Sequence, residues 1–408
     1  MLNTNFTSWP LFTQEEVTAV QDVLLSNKVN YWTGNECREF EKEFASWSDS
    51  KYAVALANGT LALDIAFKAL CIGVGDEVIV TSRTFIASIS SIINSGATPV
   101  FIDIDPASQN ITPQNINSAI TSKTKAVVCV HLAGWPCDMD EIMSLANQHS
   151  LYVVEDCAQA HGAKYKGKPV GSIGHIGCWS FCQDKIMSTG GEGGMVTTSD
   201  ESLWRKMWAY KDHGKSYEAV YEREHPEGFK WLHESFGTNW RMLEIQAAIG
   251  RIQLKRMSEW TSIRNYNAAI LTEVFSEFTG NNRLLRIPQL KCYSCPISIG
   301  MKCDQGCVHA YYKYYTFVQP EALKDGWNRD RLIDEINSEG VPCMQGSCSE
   351  VYLEKAFENT DFRPDERLPT AKKLGETSLM FLVHPTLSKE EMYSMAKVSA
   401  SVFKRAMA

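Results

Sequence analysis

The strongest constraint on the fold is an alternation of two patterns between residues 52 and 157. Short β-rich runs take turns with segments in which apolar residues have helical spacing. The runs are YAVALA, EVIVTS, TPVFIDID, KAVVCVHLAG and LYVVEDC, and the helical segments are GTLALDIAFKAL, FIASISSIINSG and MDEIMSLANQHS. Runs that are apolar on both faces are typical of strands in a parallel sheet covered by helices. The sequence therefore predicts an α/β layered architecture.

Helical patterns also flank this region, at residues 14–27, 36–47, 241–258 and 259–276. After the last of them the alternation restarts differently, with YYKYYTFV as a strand and RDRLIDEINSEG as a helix. We therefore predict a large α/β domain over residues 1–255 and a smaller C-terminal α+β domain over residues 256–408.

Composition and charge exclude several classes of function. A hydrophobic content of 44% with 22% charged residues describes an ordinary globular protein. The formal net charge of −8, without a long basic run, argues against nucleic acid or a membrane surface as the main partner. We expect no signal peptide and no membrane span, and the thirteen cysteines then favour reduced thiols in the cytoplasm.

Polar residues that directly follow the β runs are candidates for a ligand site, because ligands of open parallel sheets bind beyond the carboxyl ends of the strands. Gly59 and Thr60 follow YAVALA and open a helix, whose free N–H groups suit an anion. Asp156 ends a buried run, and Phe85 follows VIVTS. Each has an ordinary alternative: a strand-to-helix turn, a structural carboxylate and a core aromatic ring.

The segment FCQDKIMSTGGEGGMV places Lys185 between apolar residues and four glycines. The usual phosphate loops do not fit, because a Walker A lysine follows its glycines and a dinucleotide fingerprint follows the first strand. A lysine that apolar neighbours desolvate is a nucleophile for a carbonyl. A pyridoxal phosphate enzyme needs such a lysine, a carboxylate, a stacking aromatic and a phosphate cradle. The candidates for these four parts are Lys185, Asp156, Phe85, and the group Gly59, Thr60 and Ser180.

With these residues identified, the sequence resembles the DegT-type nucleotide-sugar aminotransferases, which are fold-type I pyridoxal phosphate enzymes. The resemblance covers nearly the whole chain in order. It is carried by FEKEFASW, ANGTLAL, GDEVIVTSRTFIAS, FIDIDP, VVEDCAQAHGA, SFCQDKIMSTGGEGGMV and GTNWRMLEIQAAIG. It implies a large, mainly parallel sheet domain covered by helices, followed by a smaller C-terminal α+β domain.

The resemblance also implies ping-pong transamination with pyridoxal 5′-phosphate. An amino donor, commonly L-glutamate in this family, leaves the cofactor as pyridoxamine 5′-phosphate, and a nucleotide-linked keto-sugar, most often the 4-keto form, accepts the amine. The product is an amino-sugar for a surface polysaccharide or a related glycan. Lys185 is implied as Schiff-base lysine and proton-moving base, and Asp156 as partner of the ring nitrogen. Related sugar 3-dehydratases have histidine in place of this lysine, so Lys185 favours transamination; a dehydratase and a non-catalytic regulator stay as alternatives.

Further cofactor contacts follow from the resemblance by position. Gln159 is implied beside the ring hydroxyl, and Phe85 on the ring face. The implied phosphate ligands are Gly59, Thr60 and Ser180. Asn239, in GTNWRM, is implied to reach the phosphate of the neighbouring subunit's cofactor, which makes the enzyme a homodimer with shared active sites.

Some residues are weaker candidates for substrate contacts. Trp32 and Thr33 sit where the family has an N-terminal loop near the sugar, although a buried tryptophan anchor is an equal alternative. His309, Ser347 and Glu350 lie in stretches that resemble C-terminal segments bordering the active site.

Four cysteines depart from the commonest pattern of the family. Cys292, Cys295, Cys303 and Cys307 fall within 16 residues, and four thiols can hold a structural zinc ion. Their spacing is unusual for such a site and the family needs no metal, so a surface insertion with free thiols is the alternative and no metal is predicted for the active site.

Overall fold

The computed structural model describes residues 6–288, 291–292, 295–296, 303 and 305–407, with the backbone alone for residues 291, 292, 295 and 296. The helices are α1 Gln14–Leu25, α2 Glu36–Trp47, α3 Gly59–Ala69, α4 Ala87–Asn94, α5 Pro113–Ala119, α6 Met139–Gln148, α7 Glu201–Lys211, α8 Tyr217–Tyr221, α9 Glu244–Phe275, α10 Arg329–Ser338, α11 Pro369–Thr377 and α12 Lys389–Ala406. None of these helices, in the part of the chain described, combines the length and the apolar character that crossing a membrane requires.

The strands are β1 Tyr52–Leu56, β2 Glu77–Thr81, β3 Thr98–Ile102, β4 Thr124–Val130, β5 Tyr152–Asp156, β6 Lys164–Tyr165, β7 Lys168–Pro169, β8 Ile176–Ser180, β9 Gly194–Thr198, β10 Leu285–Arg286, β11 Lys291–Cys292, β12 Cys295–Pro296, β13 Tyr314–Val318, β14 Cys343–Met344 and β15 Ser378–Phe381. Among the described residues, the largest sheet has seven strands in the order β1-β9-β8-β5-β4-β2-β3. Its strands are parallel except for β9, which runs antiparallel to both β1 and β8. The predicted mainly parallel sheet covered by helices is therefore present.

The two faces of this sheet belong to different cores, which explains why its strands are apolar on both sides. Val80, Val128 and Val154 pack in the core that contains residues of α3 and α4. Their chain neighbours Ile79 and Val127 pack in a second core with residues of α5 and α6. Successive side chains of a strand point to opposite faces, so a sheet covered by helices on both sides needs consecutive apolar residues.

A second sheet forms the smaller unit, with the strand order β10-β13-β15-β14 and antiparallel pairing throughout. Its core contains residues of α10 and α12 together with the C-terminal half of α9, including Leu271 and Phe275. The N-terminal half of α9 packs instead in a core with α2, through residues such as Ala247 and Met257. The boundary predicted near residue 255 thus falls inside one continuous helix that both units share.

Candidate active site

Asp156 is the last residue of β5, at the edge where the parallel strands end. Its side chain is buried, and its oxygens accept hydrogen bonds from Ser88 Oγ (2.7 Å) and from the amide of Ala158 (3.1 Å). Among the described residues, no cationic side chain forms an ion pair with it. Burying a carboxylate without a cation is costly, so a positive group on a ligand is the partner that this environment lacks. A protonated pyridine nitrogen fits that requirement.

Phe85 follows β2 at the same edge of the sheet, and its side chain is 67% exposed. Large aromatic side chains are normally buried at least on one face, because each removes a large apolar area from water. An exposed ring at the same sheet edge as a buried carboxylate without a cationic partner fits a platform for a planar aromatic ligand.

The turn from β1 into the start of α3 contains two of the residues predicted to hold the phosphate, Gly59 and Thr60. Asn58 Oδ1 accepts a hydrogen bond from the Leu61 amide (3.0 Å), whereas the amides of Gly59 and Thr60 lie in the first turn, where the helix supplies no acceptor. A Cβ built on Gly59 would lie 2.5 Å from Ser180 Cβ, so glycine is what lets the helix start approach the end of β8. First-turn amides, the helix dipole and the Ser180 hydroxyl together suit a phosphate.

The close approach of Gly59 to Ser180 gives a first prediction. Gly59→Ala is expected to raise the dissociation constant of pyridoxal phosphate about tenfold or more, because overpacking at such a contact costs about 1–3 kcal/mol. Titration of the apoenzyme with the cofactor, followed by tryptophan fluorescence, measures this constant. Gly73→Ala is the matched control, since its Cβ would meet Ser95 O at an unstrained 3.4 Å. Equal affinities for the wild type and Gly59→Ala would contradict the cradle assignment.

Lys185 follows β8 and is mostly buried, with its side chain 16% exposed. Its Nζ lies 3.7 Å from Asp184 Oδ1 and 5.1 Å from the centroid of the Tyr312 ring. Tyr312 donates its hydroxyl hydrogen to Asp184 Oδ2. Burial raises the pKa of Tyr312, and the neighbouring Asp184 raises it further, so the hydroxyl stays a donor. For Asp184, burial raises the pKa, but Lys185 and Tyr312 outweigh that effect and the net pKa is lowered.

The glycines after Lys185 form a turn and not the cradle. Gly190 and Gly191 have φ angles of +87° and +124°, in the region that favours glycine. The Lys185 carbonyl accepts a hydrogen bond from the Trp9 indole at 2.8 Å, which ties this turn to the N-terminal segment. The turn therefore fixes the position from which the lysine side chain leaves the backbone.

Gln159 is buried behind the same edge, where its Oε1 accepts a hydrogen bond from the Ala133 amide (2.8 Å). That bond orients the side-chain amide and leaves its NH₂ group as a donor. A donor in this place suits the ring hydroxyl that the resemblance implies.

The two N-terminal candidates are held by other parts of the chain. The Trp32 indole donates to Asp212 Oδ2 (2.6 Å), and Thr33 Oγ1 donates to the carbonyl of Asn30 (3.2 Å). Asp212 is fully buried and also forms ion pairs with Lys215 (3.2 Å) and Arg241 (2.5 Å). Within the part of the chain described, no contact joins Trp32 to Lys185, so the anchor alternative explains its position and a substrate role stays a prediction.

The three C-terminal candidates differ in what they contact. Burial lowers the pKa of His309 to about 3, so the ring is neutral, and it stacks on Tyr311 with centroids 3.9 Å apart. The Ser347 amide donates to the hydroxyl of Tyr315 (2.8 Å). His309 and Tyr315 line a cavity of 760 Å³.

Glu350 is less suited to binding a substrate because its carboxylate is already occupied. Arg367 donates to it at 2.9 Å and 2.5 Å, and the hydroxyl of Tyr352 donates at 2.6 Å. Burial raises the pKa of Glu350, but these hydrogen bonds outweigh it and the net pKa is lowered. Its contact with substrate stays a prediction.

Asn239 lies on the surface of the single chain, where its backbone pairs with that of Asp212. An exposed position agrees with a contact to a second subunit, which stays a prediction.

The zinc hypothesis concerns residues that are only partly described. The side chains of Cys292 and Cys295 lie outside the described residues. Cys303 is buried, and Cys307 Sγ accepts a hydrogen bond from the Lys166 amide at 3.2 Å. A separate buried group, His131, Glu155 and Cys157, has ligand atoms within 4.8 Å of one another. Glu155 there already accepts hydrogen bonds from His131 and from three backbone amides, so its oxygens are used by the fold.

A mostly buried lysine, an unpaired buried carboxylate, an exposed aromatic ring and an anion-binding helix start meet at one edge of this sheet. That combination defines a fold-type I enzyme that depends on pyridoxal phosphate. When bound, pyridoxal phosphate supplies an electron sink for a carbon that loses a proton. Asp156 would hold the proton on the ring nitrogen, Gln159 would bind the ring hydroxyl, and Lys185 would carry the reacting amine. The phosphate would be held by Gly59, Thr60 and Ser180.

The chain belongs to the DegT/DnrJ/EryC1/StrS aminotransferase family, whose sequence profile matches residues 10–399. It is similar to the X-ray structure of the aminotransferase from Psychrobacter cryohalolentis, with 64% identity, a TM-score of 0.94, and coverage of 98% of this chain and 99% of that one. GDP-perosamine synthase of Escherichia coli O157:H7 is 42% identical over 62% of this chain and 66% of its own length. The UDP-N-acetyl-3-dehydro-alpha-D-glucosamine 3-aminotransferase of Acidithiobacillus ferrooxidans is 33% identical over 94% and 92%. The predicted family, fold class, cofactor and enzyme class are confirmed.

Proposed function

We propose that this enzyme moves an amino group from L-glutamate to the C4 keto group of a nucleotide-linked sugar, in the synthesis of an amino-sugar for a surface polysaccharide or a related glycan. The observation that carries the proposal is the convergence of Lys185 and the unpaired Asp156 at one sheet edge with the Gly59 helix start. The names of the similar transaminases and synthases support a nucleotide sugar as the acceptor.

Each residue then has a distinct task in the reaction. Lys185 takes a proton from the α-carbon of the donor in the first half-reaction and moves a proton for the acceptor in the second. Asp184 Oδ1 lies 3.7 Å from Lys185 Nζ, so its carboxylate can orient the amine for both half-reactions. Asp156 supplies the carboxylate that balances the protonated ring nitrogen.

A panel of nucleotide keto-sugars tests this proposal. The purified holoenzyme is incubated with L-glutamate and with 4-keto and 3-keto sugars carried on UDP, GDP and dTDP. Mass spectrometry follows the amino-sugar, and an enzyme-coupled assay follows 2-oxoglutarate. Formation of both products in equal amounts supports transamination and identifies the nucleotide, the sugar and the carbon. If no keto-sugar accepts nitrogen, the proposal fails.

The same panel separates the alternatives. A dehydratase removes the elements of water from the sugar without adding nitrogen, so its product differs in mass from that of a transaminase. A regulator without catalytic activity gives neither product. Lys185, Asp156 and Gln159 all lie at the same edge of the sheet, and this set of polar groups supports an enzyme.

We also propose a cytoplasmic homodimer with shared active sites. Support for the dimer comes from exposed apolar side chains in the segment before Asn239: Phe229 is 77% exposed, Trp231 79% and Phe236 100%. Exposed aromatic groups of this size mark surfaces that another protein covers. For the location, the support is that buried cysteines such as Cys37, Cys129 and Cys178 are free thiols, as expected in a reducing compartment.

Mixing two inactive variants tests the shared site directly. Lys185→Ala removes the reacting amine, and Asn239→Asp places a negative charge against the neighbour's phosphate, so each homodimer should be severely impaired. A mixed dimer contains one site that has both Lys185 and Asn239 intact. Activity should therefore reappear when the two are unfolded and refolded together, and not when they are simply combined in the assay. Absence of this recovery would contradict shared sites.

A further inference from the structure

The cavity of 760 Å³ that His309 and Tyr315 line has an unusual balance of charge. Two lysines, Lys164 and Lys313, line it, together with many aromatic side chains. Within the described residues, its wall contains no aspartate and no glutamate. A cavity with cations and aromatic rings but no carboxylates favours an anionic ligand.

Lys313 connects this cavity to the reacting lysine. Its side chain is half-buried, and its Nζ lies 4.9 Å from the centroid of the Tyr312 ring. The Nζ of Lys185 lies 5.1 Å from the same centroid. The two amino groups thus flank one tyrosine, and a ligand that pairs with Lys313 lies near the place where substrates react.

Lys313 also lacks a counter-ion in the described part of the chain, where no carboxylate forms an ion pair with it. Asp184, the nearby acid, is shared by Lys185 and Tyr312. Burial lowers the pKa of Lys313 to about 8, Arg264 and Lys185 lower it further, and Asp184 opposes them. This part of the site therefore holds more positive than negative charge.

A second cation lies behind the cavity wall. Arg83 is fully buried, and its Nε donates to Gln109 Oε1 at 3.1 Å. Its guanidinium carbon lies 5.6 Å from the centroid of the Tyr315 ring, and both Gln109 and Tyr315 line the cavity. The two terminal nitrogens of Arg83 have no hydrogen-bond partner among the described residues. Its unpaired charge adds to the positive potential that an anion in the cavity would meet.

We propose that Lys313 is the cationic centre of an anion-binding subsite, in which its ammonium group pairs with an anionic oxygen group of a substrate. The inference rests on the proposed function, which supplies two sources of such a group: the carboxylates of the amino donor and the diphosphate of the nucleotide sugar. Both are anions that a lysine can bind as a point charge with up to three hydrogen bonds.

Equilibrium binding to the holoenzyme tests the subsite without requiring turnover. Isothermal titration calorimetry is carried out with glutarate, an unreactive dicarboxylate, and separately with UDP and with GDP. Lys313→Met should weaken the binding of one class of probe about tenfold or more, because a charge-assisted contact is lost. Lys313→Arg, which keeps the charge, should recover part of the affinity. Lys168→Met, an exposed lysine that does not line the cavity, should behave as the wild type.

The pattern of losses assigns the source of the anion. Weaker binding of glutarate alone assigns the donor carboxylate, and weaker binding of the nucleotides alone assigns the diphosphate. Unchanged affinities in Lys313→Met, equal losses in Lys168→Met, or no binding of any probe to the wild type would overturn the subsite. Thermal unfolding midpoints and the absorbance of the bound cofactor confirm that each variant is folded and loaded. If Lys313→Met does not fold, the Lys313→Arg and Lys313→Gln pair gives the same comparison.

These outcomes are separate from the fate of the proposed function. If no keto-sugar accepts nitrogen, the transaminase proposal fails, but the affinities measured for Lys313→Met still decide whether the anion-binding subsite exists. Conversely, if a keto-sugar is aminated but Lys313→Met binds every probe as tightly as the wild type does, the subsite proposal fails and the transaminase proposal stands.

Discussion

Replacing Lys185 by alanine is expected to abolish turnover, with a loss of at least about 10³-fold in kcat. We propose two tasks for this side chain, holding the reacting amine and moving the proton, and no other described lysine forms an ion pair with Asp184. Lys313 flanks the same Tyr312 ring but belongs to the wall of the cavity, so it does not replace the lost group. The rate is measured with L-glutamate and the keto-sugar that the panel identifies.

Two further measurements separate a chemical defect from a structural one. Borohydride reduction of the wild type should fix the cofactor to the tryptic peptide that contains residue 185, and no labelled peptide should form in Lys185→Ala. Lys185→Arg, which keeps a positive charge of similar length, should be as inactive as the alanine variant, because arginine does not give up its proton. Full activity in either variant would remove Lys185 from its assigned role.

Asp156→Asn is expected to lower kcat by about 10²–10⁴-fold while leaving the fold intact. Asparagine keeps the shape of the side chain, and its oxygen can still accept the hydrogen bond from Ser88. It lacks the negative charge that, in our proposal, keeps a proton on the ring nitrogen, so the electron-withdrawing power of the ring should be lost. Steady-state kinetics and the absorbance of the bound cofactor, followed as a function of pH, check the two parts of this expectation.

Controls for Asp156→Asn come from the same chain. Asp200→Asn makes the same chemical change at the N-cap of α7, where the carboxylate accepts a hydrogen bond from the Leu203 amide, and should leave kcat unchanged. Ser88→Ala removes one hydrogen bond to Asp156 and should cause a smaller loss, since the carboxylate itself remains. A pH profile for Asp156→Asn that matches the wild type would show that the charge is not needed.

Much of the fold can be predicted from the sequence, because the local pattern of a segment and its packing in the folded chain favour the same secondary structure. The segment 36–47 has strong helical spacing and is the helix α2, and the β runs at 77, 98, 124 and 152 are strands of the large sheet. The sequence pattern does not predict strand β9, because GMVTT is short and follows a glycine-rich turn. The pairing of β9 depends on distant residues, since a Cβ on Gly194 would clash with the carbonyl oxygen of Asn58. Such a close approach has no signature in the local pattern.

A domain boundary is equally hard to place when one helix continues through it. The predicted domain boundary lies near residue 255, where the partners of the helix change from the large unit to the small one. Helix α9 continues to Phe275, as the helical pattern over residues 241–276 predicts, because no proline or glycine interrupts residues 255–275 and each half has its own apolar partners. Sequence pattern records the apolar face of a helix, but not which core that face enters.

The polar centre of the site is predictable for a related reason. Carboxyl ends of parallel strands meet at one edge, so the order of residues along the chain is enough to group Asp156 with Phe85. The pairing of Tyr312 with Asp184 is not predictable in this way, although Asp184 is next to Lys185, because their hydrogen bond joins residues 128 apart in the sequence. Lys313 lies in a run that reads as a strand, and the lack of a counter-ion among the described residues around it is visible only in three dimensions.

Asp212 contacts two stretches of the chain that are distant in sequence, so a change at this one residue affects the structure of both. One carboxylate holds the Trp32 indole, on the N-terminal loop, and the Arg241 guanidinium, two residues beyond Asn239. If Asn239 contacts the cofactor of the neighbouring subunit, a substitution at Asp212 disturbs two things at once. It disturbs the N-terminal loop of its own protomer and the contact that Asn239 makes with the neighbouring protomer. Whether a substitution at residue 32 or residue 241 is tolerated should therefore depend on which residue occupies position 212. A change at position 212 should be accompanied by compensating changes at both of its partners.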